Sequence, residues 1–307
     1  MEIQEILREI RSLKRRVQRL TQEIESIQAV FVEDPFPVER MLKMRGIKVF
    51  RMNPTDRLFF PPYLSPFQKS RFYEMMKKYS FRLVLRDMIK YQDRFRIQDL
   101  TRYCSPKVVQ AYCNLLCEIG IILKTGRGTY RTSVSPLYSF GPTLEWYIAE
   151  IFKREFASPA IYGVSVKQTP SGGDYDVVAS WNGRLVYIEV KSSPPKGIES
   201  SEVTTFFSRI GDLLPEVAFL FNDTQLRMKD KLVVMVEEEL EKRYGKESKR
   251  LYPVQRLVAE LFHVQNRIFI VNSKKDIVEN FQICLKRHLR YGASNDKAWL
   301  IEHSAKR

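Results

Sequence analysis

The Asn182-Gly183 dipeptide is the feature that most constrains how this chain folds. It lies inside residues 172–192, GGDYDVVASWNGRLVYIEVKS, between two runs in which apolar and polar residues alternate. Asn-Gly is the preferred pair for a two-residue type I′ turn, because both turn positions need a positive φ. The stretch therefore predicts an antiparallel hairpin with one register.

That register brings four charged residues together. It sets Asp176 opposite Glu189 and Asp174 opposite Lys191. Side chains alternate between the two surfaces of a strand, so we expect all four charges on one surface and the intervening apolar residues on the other. Facing Cβ atoms are about 5 Å apart, which places both carboxylates within reach of a single cation.

The energy of this arrangement favours a metal site. Two like charges about 5 Å apart repel by roughly 3 kcal/mol at an effective dielectric of about 20. A divalent cation reverses the sign, and the oxygens of Asp176 and Glu189 suit Mg²⁺ or Mn²⁺. With Lys191 close by, the set suits phosphodiester hydrolysis. The alternative is ordinary cross-strand ion pairing, Asp174 with Lys191 and Asp176 with a distant arginine.

An aspartate followed by E-V-K at the end of a hairpin resembles the motif of the PD-(D/E)xK nuclease superfamily. Over about residues 140–290 the resemblance implies an α/β, restriction endonuclease-like fold, a mixed sheet flanked by helices. It implies that Asp176, Glu189 and the backbone carbonyl of Val190 hold Mg²⁺ or Mn²⁺, and that Lys191 is catalytic. The stretch is most similar to archaeal Holliday-junction resolvases and Mrr-like restriction nucleases.

Three further positions bear on this resemblance. Many members carry a glutamate on the helix before the hairpin, and FGPTLEWYIAEIFKREF is such a helix. Glu145 is the better match, as a catalytic and metal-binding residue, and Glu150 is the weaker one. Tyr175 stands where the motif has its proline, which carries no chemistry, and Ser171 is a weak match to the serine of resolvases.

Short helical patterns precede this region. Ser105 and Pro106 mark the cap and first turn of a third helix, PKVVQAYCNLLCEIG, which we expect to stop at Gly120. IILKTGRGTYRTS then predicts two strands around a glycine-rich tip. Together, about residues 80–135 resemble the winged helix-turn-helix family.

The winged-helix resemblance implies contact with DNA. In that family the third helix enters the major groove and the wing touches the backbone or minor groove. The candidate contacts are Lys107, Gln110, Asn114, Arg127 and Arg131. The alternative is a protein-docking module on which this charged stripe is merely solvated.

The charge balance supports a polyanionic partner. The 307 residues include 51 Lys+Arg against 36 Asp+Glu, a formal net charge of +15, which favours DNA before a membrane surface. No apolar run of about 18 residues could span a bilayer and no signal peptide pattern is present, so we expect a cytoplasmic, soluble protein. The four cysteines form no CxxC pair and are expected to be reduced core thiols.

The N-terminal residues form a heptad seam. Apolar residues are spaced alternately by three and four, at Ile3, Ile6, Ile10, Leu13, Val17, Leu20, Ile24 and Ile27. β-Branched residues at the a positions favour a parallel dimer, with a trimer left open. We therefore expect a homodimer through residues 3–27; the alternative is one amphipathic helix docked on its own chain.

These patterns divide the chain into four parts. They are a coiled-coil helix over 1–31, a Pro- and aromatic-rich connector over 32–79, a winged-helix domain over 80–139 and a PD-(D/E)xK nuclease domain over 140–307. The predicted function is a metal-dependent DNA endonuclease that acts as a dimer on duplex or branched DNA. The alternatives are a non-catalytic DNA-binding or scaffold protein that keeps a nuclease fold, and a nuclease that acts on RNA.

Overall fold

The computed structural model describes residues 9–10, 12–14, 16–21, 37–167 and 169–292, in two compact units, Met1–Pro37 and Val38–Arg307. In the first unit the described residues are helical. Their seam positions are more than half exposed, at 54% for Ile10, 56% for Leu13, 61% for Val17 and 56% for Leu20. The other seam positions, at residues 3, 6, 24 and 27, lie outside the described residues, so the dimer stays a prediction.

The second unit contains two β-sheets. The strands are β1 (Lys48–Arg51), β2 (Phe95–Arg96), β3 (Ile122–Gly126), β4 (Thr129–Thr132), β5 (Ala160–Lys167), β6 (Asp174–Trp181), β7 (Arg184–Lys191), β8 (Val217–Asn222), β9 (Gln255–Val258), β10 (Leu261–Val264) and β11 (Ile268–Asn272). The large sheet has the order β1-β5-β6-β7-β8-β11-β10-β9, and the small sheet has the order β2-β4-β3. In the large sheet β8 pairs in parallel with both β7 and β11, and the other pairs are antiparallel, so this sheet is mixed.

Helices cover both faces of the large sheet. From residue 37 onward, the described α-helices are α1 (Pro37–Met44), α2 (Pro66–Met76), α3 (Tyr79–Lys90), α4 (Pro106–Glu118), α5 (Gly141–Glu155), α6 (Ser200–Leu213), α7 (Val234–Tyr244), α8 (Ser248–Leu251) and α9 (Ile277–Tyr291). One apolar core draws on α5 and α9, the other on α1, α6 and α7. The fold is therefore α/β, with a large mixed sheet flanked by helices, as predicted. Among the described residues, no helix has both the length and the apolar character needed to cross a membrane.

The predicted hairpin is confirmed. Asn182 and Gly183 have φ angles of 49° and 71°, as a type I′ turn requires. Strands β6 and β7 pair from Trp181 with Arg184 as far as Val177 with Ile188, which is the predicted register. The backbone ladder ends at this last pair, one residue before the predicted acidic pair.

Strand β5 is irregular at Gly163, close to that point. Gly163 has a φ of +54°, and a Cβ atom there would lie 2.7 Å from the Pro54 side chain, so glycine is required on both counts. Tyr162 and Val164 would normally share a face of the sheet, yet they belong to the cores on opposite faces. Their partners on β6 are Val177 and Tyr175, so the irregularity falls opposite Asp176, which lies between them.

The small sheet belongs to a helical module over residues 79–132, the small-sheet module, which contains the predicted third helix and hairpin and also strand β2, which was not predicted. The third helix, α4, begins at Pro106 after Ser105, and Gly120 follows its end with a φ of 77°. Its apolar face is buried: Val109, Tyr112, Leu116 and Ile119. The glycine-rich tip joins β3 to β4 as a hairpin. The assignment of this module to the winged-helix family stays a prediction.

The connector holds more regular structure than its prolines suggested. It supplies α1, α2 and the edge strand β1, which pairs antiparallel with β5 through Val49 and Val166. Helix α2 starts with a capping box in which Ser65 and Gln68 bond each other's backbone N–H. The apolar core that draws on α5 and α9 also includes Phe60 of the connector, residues of α3 and α4, and Trp146 of α5. The connector and the small-sheet module are thus packed directly onto the large sheet.

Candidate active site

Glu189 lies at the centre of the charged cluster. It is near the end of β7 and only 1% exposed. Its Oε1 lies 2.9 Å from the Nζ of Lys191, and its Oε2 lies 2.8 Å from Nη1 of Arg209 on α6. The hydroxyl of Tyr187 also donates to Oε2. A buried carboxylate is stable only with such partners, so this residue fixes the positions of two cations.

Asp176 joins the same cluster from the neighbouring strand. Its Oδ2 accepts a hydrogen bond from the backbone N–H of Val190 at 2.7 Å. Its Oδ1 lies 3.7 Å from Nη1 of Arg209, the nitrogen that also contacts Glu189. One cationic nitrogen therefore approaches both carboxylates that the hairpin register places together. The Val190 carbonyl as a metal ligand stays a prediction.

Glu145 reaches the cluster from the other face of the sheet. It lies on the first turns of α5, and its Oε2 is 3.7 Å from where a Cβ of Gly163 would stand. Burial raises the pKa of Glu145 to about 7, with further contributions from the carboxylates of Glu189 and Asp174. The irregularity at Gly163 therefore sits where α5 approaches the hairpin.

The carboxyl groups of the cluster make one another harder to ionise. Burial raises the pKa of Asp176 well above its usual value, and the charges of Glu189 and Glu145 raise it further. The hydrogen bond from Val190 and the charge of Arg209 oppose this shift only in part. Raised pKa values caused by neighbouring carboxylates are typical of sites that bind a cation or hold catalytic acids.

Lys191 is held by two carboxylates. Its Nζ lies 2.9 Å from Glu189 and 2.8 Å from Glu202 of α6, and its side chain is 17% exposed. Burial alone would lower the pKa of Lys191, but Glu189 and Glu202 raise it above the ordinary value, so the side chain is charged at neutral pH. A fixed ammonium at the rim of an acidic cluster can bind the oxygens of a phosphate group.

Some predicted contacts at the hairpin are different in the structure. Lys191 pairs with Glu189 and Glu202, whereas the exposed Asp174 accepts a hydrogen bond from Ser165 on β5. The cross-strand pair of Asp174 with Lys191 is therefore wrong. The cause is the end of the ladder after Val177 and Ile188, because the facing geometry does not continue beyond it.

The two weaker candidates, Glu150 and Ser171, bond to residues outside the cluster. Glu150 forms ion pairs with Lys153 and Arg154 on its own helix, at 3.1 and 2.8 Å. Ser171 donates from its hydroxyl to Asp212 of α6, and the Tyr175 hydroxyl donates to the same carboxylate at 2.9 Å. These contacts fasten the loop before β6 to α6, so we assign Ser171 a structural role.

The donor set suits a hard divalent cation, although no complete cage stands ready. Within the described residues, no three His, Cys, Asp or Glu side chains are already grouped to hold a metal ion. Two observations support a cation site. Asp176 and Glu189 both lie near Nη1 of Arg209, and the charge of Glu189 opposes ionisation of Glu145. The acids of the cluster offer oxygen ligands, which suit Mg²⁺ or Mn²⁺. All four cysteines are free thiols, as expected.

Two residues of the cluster were missed from the sequence. Glu202 and Arg209 both lie on α6 and both contact β7 side chains. Their spacing of two helical turns puts them on one side of the helix, and this stripe was visible in ESSEVTTFFSRIGDLL. Which strand that side of the helix would face was not visible, because the contact spans about twenty residues of chain.

The predicted DNA-contacting residues form part of the surface of the small-sheet module. Lys107, Asn114, Arg127 and Arg131 are exposed, and Gln110 is half-buried. The Gln110 amide donates to Asn114 at 2.8 Å and lies 3.3 Å from the hydroxyl of Tyr130. The stripe on α4 and the tip of the β3–β4 hairpin are therefore accessible to a partner.

The fold and site together define a mixed α/β protein in which a hairpin end, a preceding helix and a following helix assemble an acidic cluster with a lysine. Protein VC1899 from Vibrio cholerae is similar, with a TM-score of 0.47 and 13% identity over 80% of this chain and 62% of that one. Can2 from Sulfobacillus thermosulfidooxidans, solved in complex with cyclic tetra-adenylate, gives 0.43 and 14% over 86% of this chain and 62% of its own. This chain therefore spans less than two thirds of each. No protein-family model and no curated protein matches the sequence.

Proposed function

We propose that this protein is a metal-dependent DNA endonuclease of the PD-(D/E)xK superfamily, with a restriction endonuclease-like sheet and an attached winged helix. The observation that carries the proposal is the meeting of Asp176 and Glu189 at one cationic nitrogen, with the Lys191 ammonium 2.9 Å from Glu189. The clustering of acids is costly unless a cation binds between them.

In this proposal each side chain has a separate task. Asp176, Glu189 and Glu145 would hold Mg²⁺ or Mn²⁺, which supplies Lewis-acid polarisation of the phosphoryl oxygen when bound. Lys191 donates a hydrogen bond to the attacking water or to a phosphate oxygen, and its charge stabilises the extra negative charge of the transition state. Glu202 keeps the ammonium at the rim of the cluster through its 2.8 Å contact.

The exposed stripe on α4 and the wing would position the DNA. Replacing Arg127 and Arg131 together by alanine is expected to weaken binding to every duplex sequence alike, because wing arginines contact phosphates. The slope of log K against log salt should fall by about two, roughly one for each lost phosphate contact. Fluorescence anisotropy across a salt series measures it.

The exposed Lys246 provides the control for that experiment. Lys246→Ala also removes positive charge but lies outside the module, and its salt slope should stay that of the wild type. An unchanged slope in the double variant would show that this hairpin does not contact DNA.

The N-terminal seam would pair two chains and so supply two active sites. Val17→Glu places a charge at an a position that is 61% exposed in the single chain, and is expected to convert dimers to monomers at micromolar concentration. Light scattering coupled to size exclusion reports the mass. Gln18→Glu, at an outer position of the same helix, should leave the mass unchanged, and a dimeric Val17→Glu variant would contradict pairing through this seam.

Cleavage assays test the proposed activity itself. Supercoiled plasmid, linear duplex, flap, four-way junction, single-stranded DNA and RNA are each incubated with Mn²⁺, with Mg²⁺ or with EDTA. We expect metal-dependent cutting of duplex or branched DNA. Intact substrates under all conditions, with DNA binding retained, would point to a non-catalytic scaffold, and cutting of RNA alone would change the substrate class.

A further inference from the structure

Arg209 has the most unusual surroundings in the charged cluster. Its Nη1 lies 2.8 Å from Glu189, 3.7 Å from Asp176 and 3.4 Å from the hydroxyl of Tyr187. The guanidinium lies over the Tyr175 ring, with its carbon 5.5 Å from the ring centre. The side chain is 12% exposed. Arg209 thus lies beside both carboxylates that the proposed function assigns to a divalent cation, and it shares the neutralisation of Glu189 with Lys191.

The same side chain has unused hydrogen-bonding capacity. Its Nε is buried and has no hydrogen-bond partner, although a buried donor of this kind normally finds one. Its Nη2 faces Gly173, where an added Cβ would lie 3.3 Å away. Gly173 is exposed and has a φ of +79°, so the loop presents no side chain over this nitrogen. Arg209 can therefore accept an additional anionic ligand without removing a neighbouring side chain.

We propose that Arg209 occupies the cation position in the metal-free protein and becomes a ligand of the scissile phosphate once a divalent cation binds Asp176 and Glu189. The inference rests on the proposed nuclease function. A cation entering between the two carboxylates removes the reason for Arg209 to contact both, because their charge is then balanced. The planar guanidinium, with five N–H donors, is suited to bind two oxygens of a phosphodiester.

The proposal predicts opposite effects of one substitution on metal and on DNA. Arg209→Gln removes the competing charge, so Mn²⁺ should bind about tenfold tighter than to the wild type. With Ca²⁺ present, which is used to assemble the complex, a duplex oligonucleotide should bind about tenfold more weakly. In EDTA the two proteins should bind the oligonucleotide alike. Calorimetry of the full chain measures the first effect, and fluorescence anisotropy measures the second.

Arg243→Gln provides a matched control. Arg243 also forms an arginine–glutamate pair, at 2.6 Å from Glu239, and lies over the Phe207 ring, but it is outside the cluster. Both affinities should stay within about twofold of the wild type. Arg209→Lys keeps the charge and guards against failure of Arg209→Gln to fold: its Mn²⁺ affinity should resemble the wild type while its DNA binding in Ca²⁺ is weakened.

The outcomes separate this inference from the proposed function. If the wild type binds Mn²⁺ and Arg209→Gln binds it equally or more weakly, Arg209 does not compete with the cation and the inference is wrong. Unchanged DNA binding by Arg209→Lys in Ca²⁺ would refute the phosphate contact. If neither wild type nor variant binds Mn²⁺ or Mg²⁺ at millimolar concentration, the metal-dependent nuclease proposal fails and the inference fails with it.

Discussion

Lys191→Ala is expected to lower the rate of DNA cleavage by about 10²- to 10³-fold, the usual effect of removing one donor that stabilises a transition-state charge. DNA affinity should stay within about threefold of the wild type, because the small-sheet module remains in place. Single-turnover cleavage with protein in excess measures the chemical step. Such a loss in rate without a loss in binding would place Lys191 at the transition state.

Lys191→Met serves as a second variant for this test. It keeps the length of the side chain that packs at the end of β7, so it separates loss of charge from loss of packing. Lys196→Ala, five residues downstream and exposed, is the matched control and should cleave at the wild-type rate. Wild-type cleavage by both Lys191 variants would remove this residue from the proposed mechanism.

Asp223→Asn is expected to reduce the free energy of unfolding by about 3–5 kcal/mol, the usual cost of leaving a buried charge without its partner. The Asp223 carboxylate is fully buried and is bound by Arg82 of α3, with Nη2 to Oδ1 at 2.8 Å. Arg82 is itself only 1% exposed, and Arg86 donates to the second oxygen. The asparagine keeps the shape but leaves two guanidinium groups without a counter-charge. Urea unfolding measures the loss.

The same variant has a defined dependence on pH. Burial alone would raise the pKa of Asp223, but Arg82 and Arg86 reverse this and hold it below its ordinary value of 3.8. A group whose folded pKa is the lower one stabilises the protein fully above 3.8 and loses this contribution as the pH falls through the folded value. The difference in unfolding free energy between the wild type and Asp223→Asn should therefore shrink below pH 3.8.

An exposed ion pair provides the comparison. Glu247 lies 2.9 Å from Arg250, with side chains 68% and 76% exposed, so Glu247→Gln should change the unfolding free energy by less than about 0.5 kcal/mol. A loss for Asp223→Asn no larger than that of Glu247→Gln would mean that Arg82 and Arg86 find other acceptors when the carboxylate is removed.

Local sequence rules predicted the hairpin because its information is local. Asn182 and Gly183 determine the turn, and the turn determines the register as far as Val177 with Ile188. Asp176 and Glu189 lie just beyond this pair and both approach Arg209. The helix carrying Glu145 was likewise predicted, from the stretch FGPTLEWYIAEIFKREF. The prediction failed where it extended this register to Asp174 and Lys191, because the sequence of a turn does not determine where the pairing of the two strands ends.

Contacts between distant segments could not be predicted. Arg82 and Asp223 are separated by 141 positions, and each looks like an ordinary charged residue in its own segment. The edge strand β1 was missed for the same reason, because four residues of KVFR acquire strand character only by pairing with β5. Arg209 lies on α6, whose orientation toward the sheet depends on the completed core.

The buried Asp223 contacts both the end of β7 and the small-sheet module. The backbone N–H of Asp223 donates to the carbonyl of Lys191 at 2.8 Å, while its carboxylate forms an ion pair with Arg82 on α3 of the small-sheet module. Asp223 therefore connects the module that is proposed to bind DNA with the strand that carries Lys191. Under the proposed function, this connection predicts that each cut falls a constant number of base pairs from the DNA segment bound by the module, because protein geometry and not a flexible tether sets the spacing.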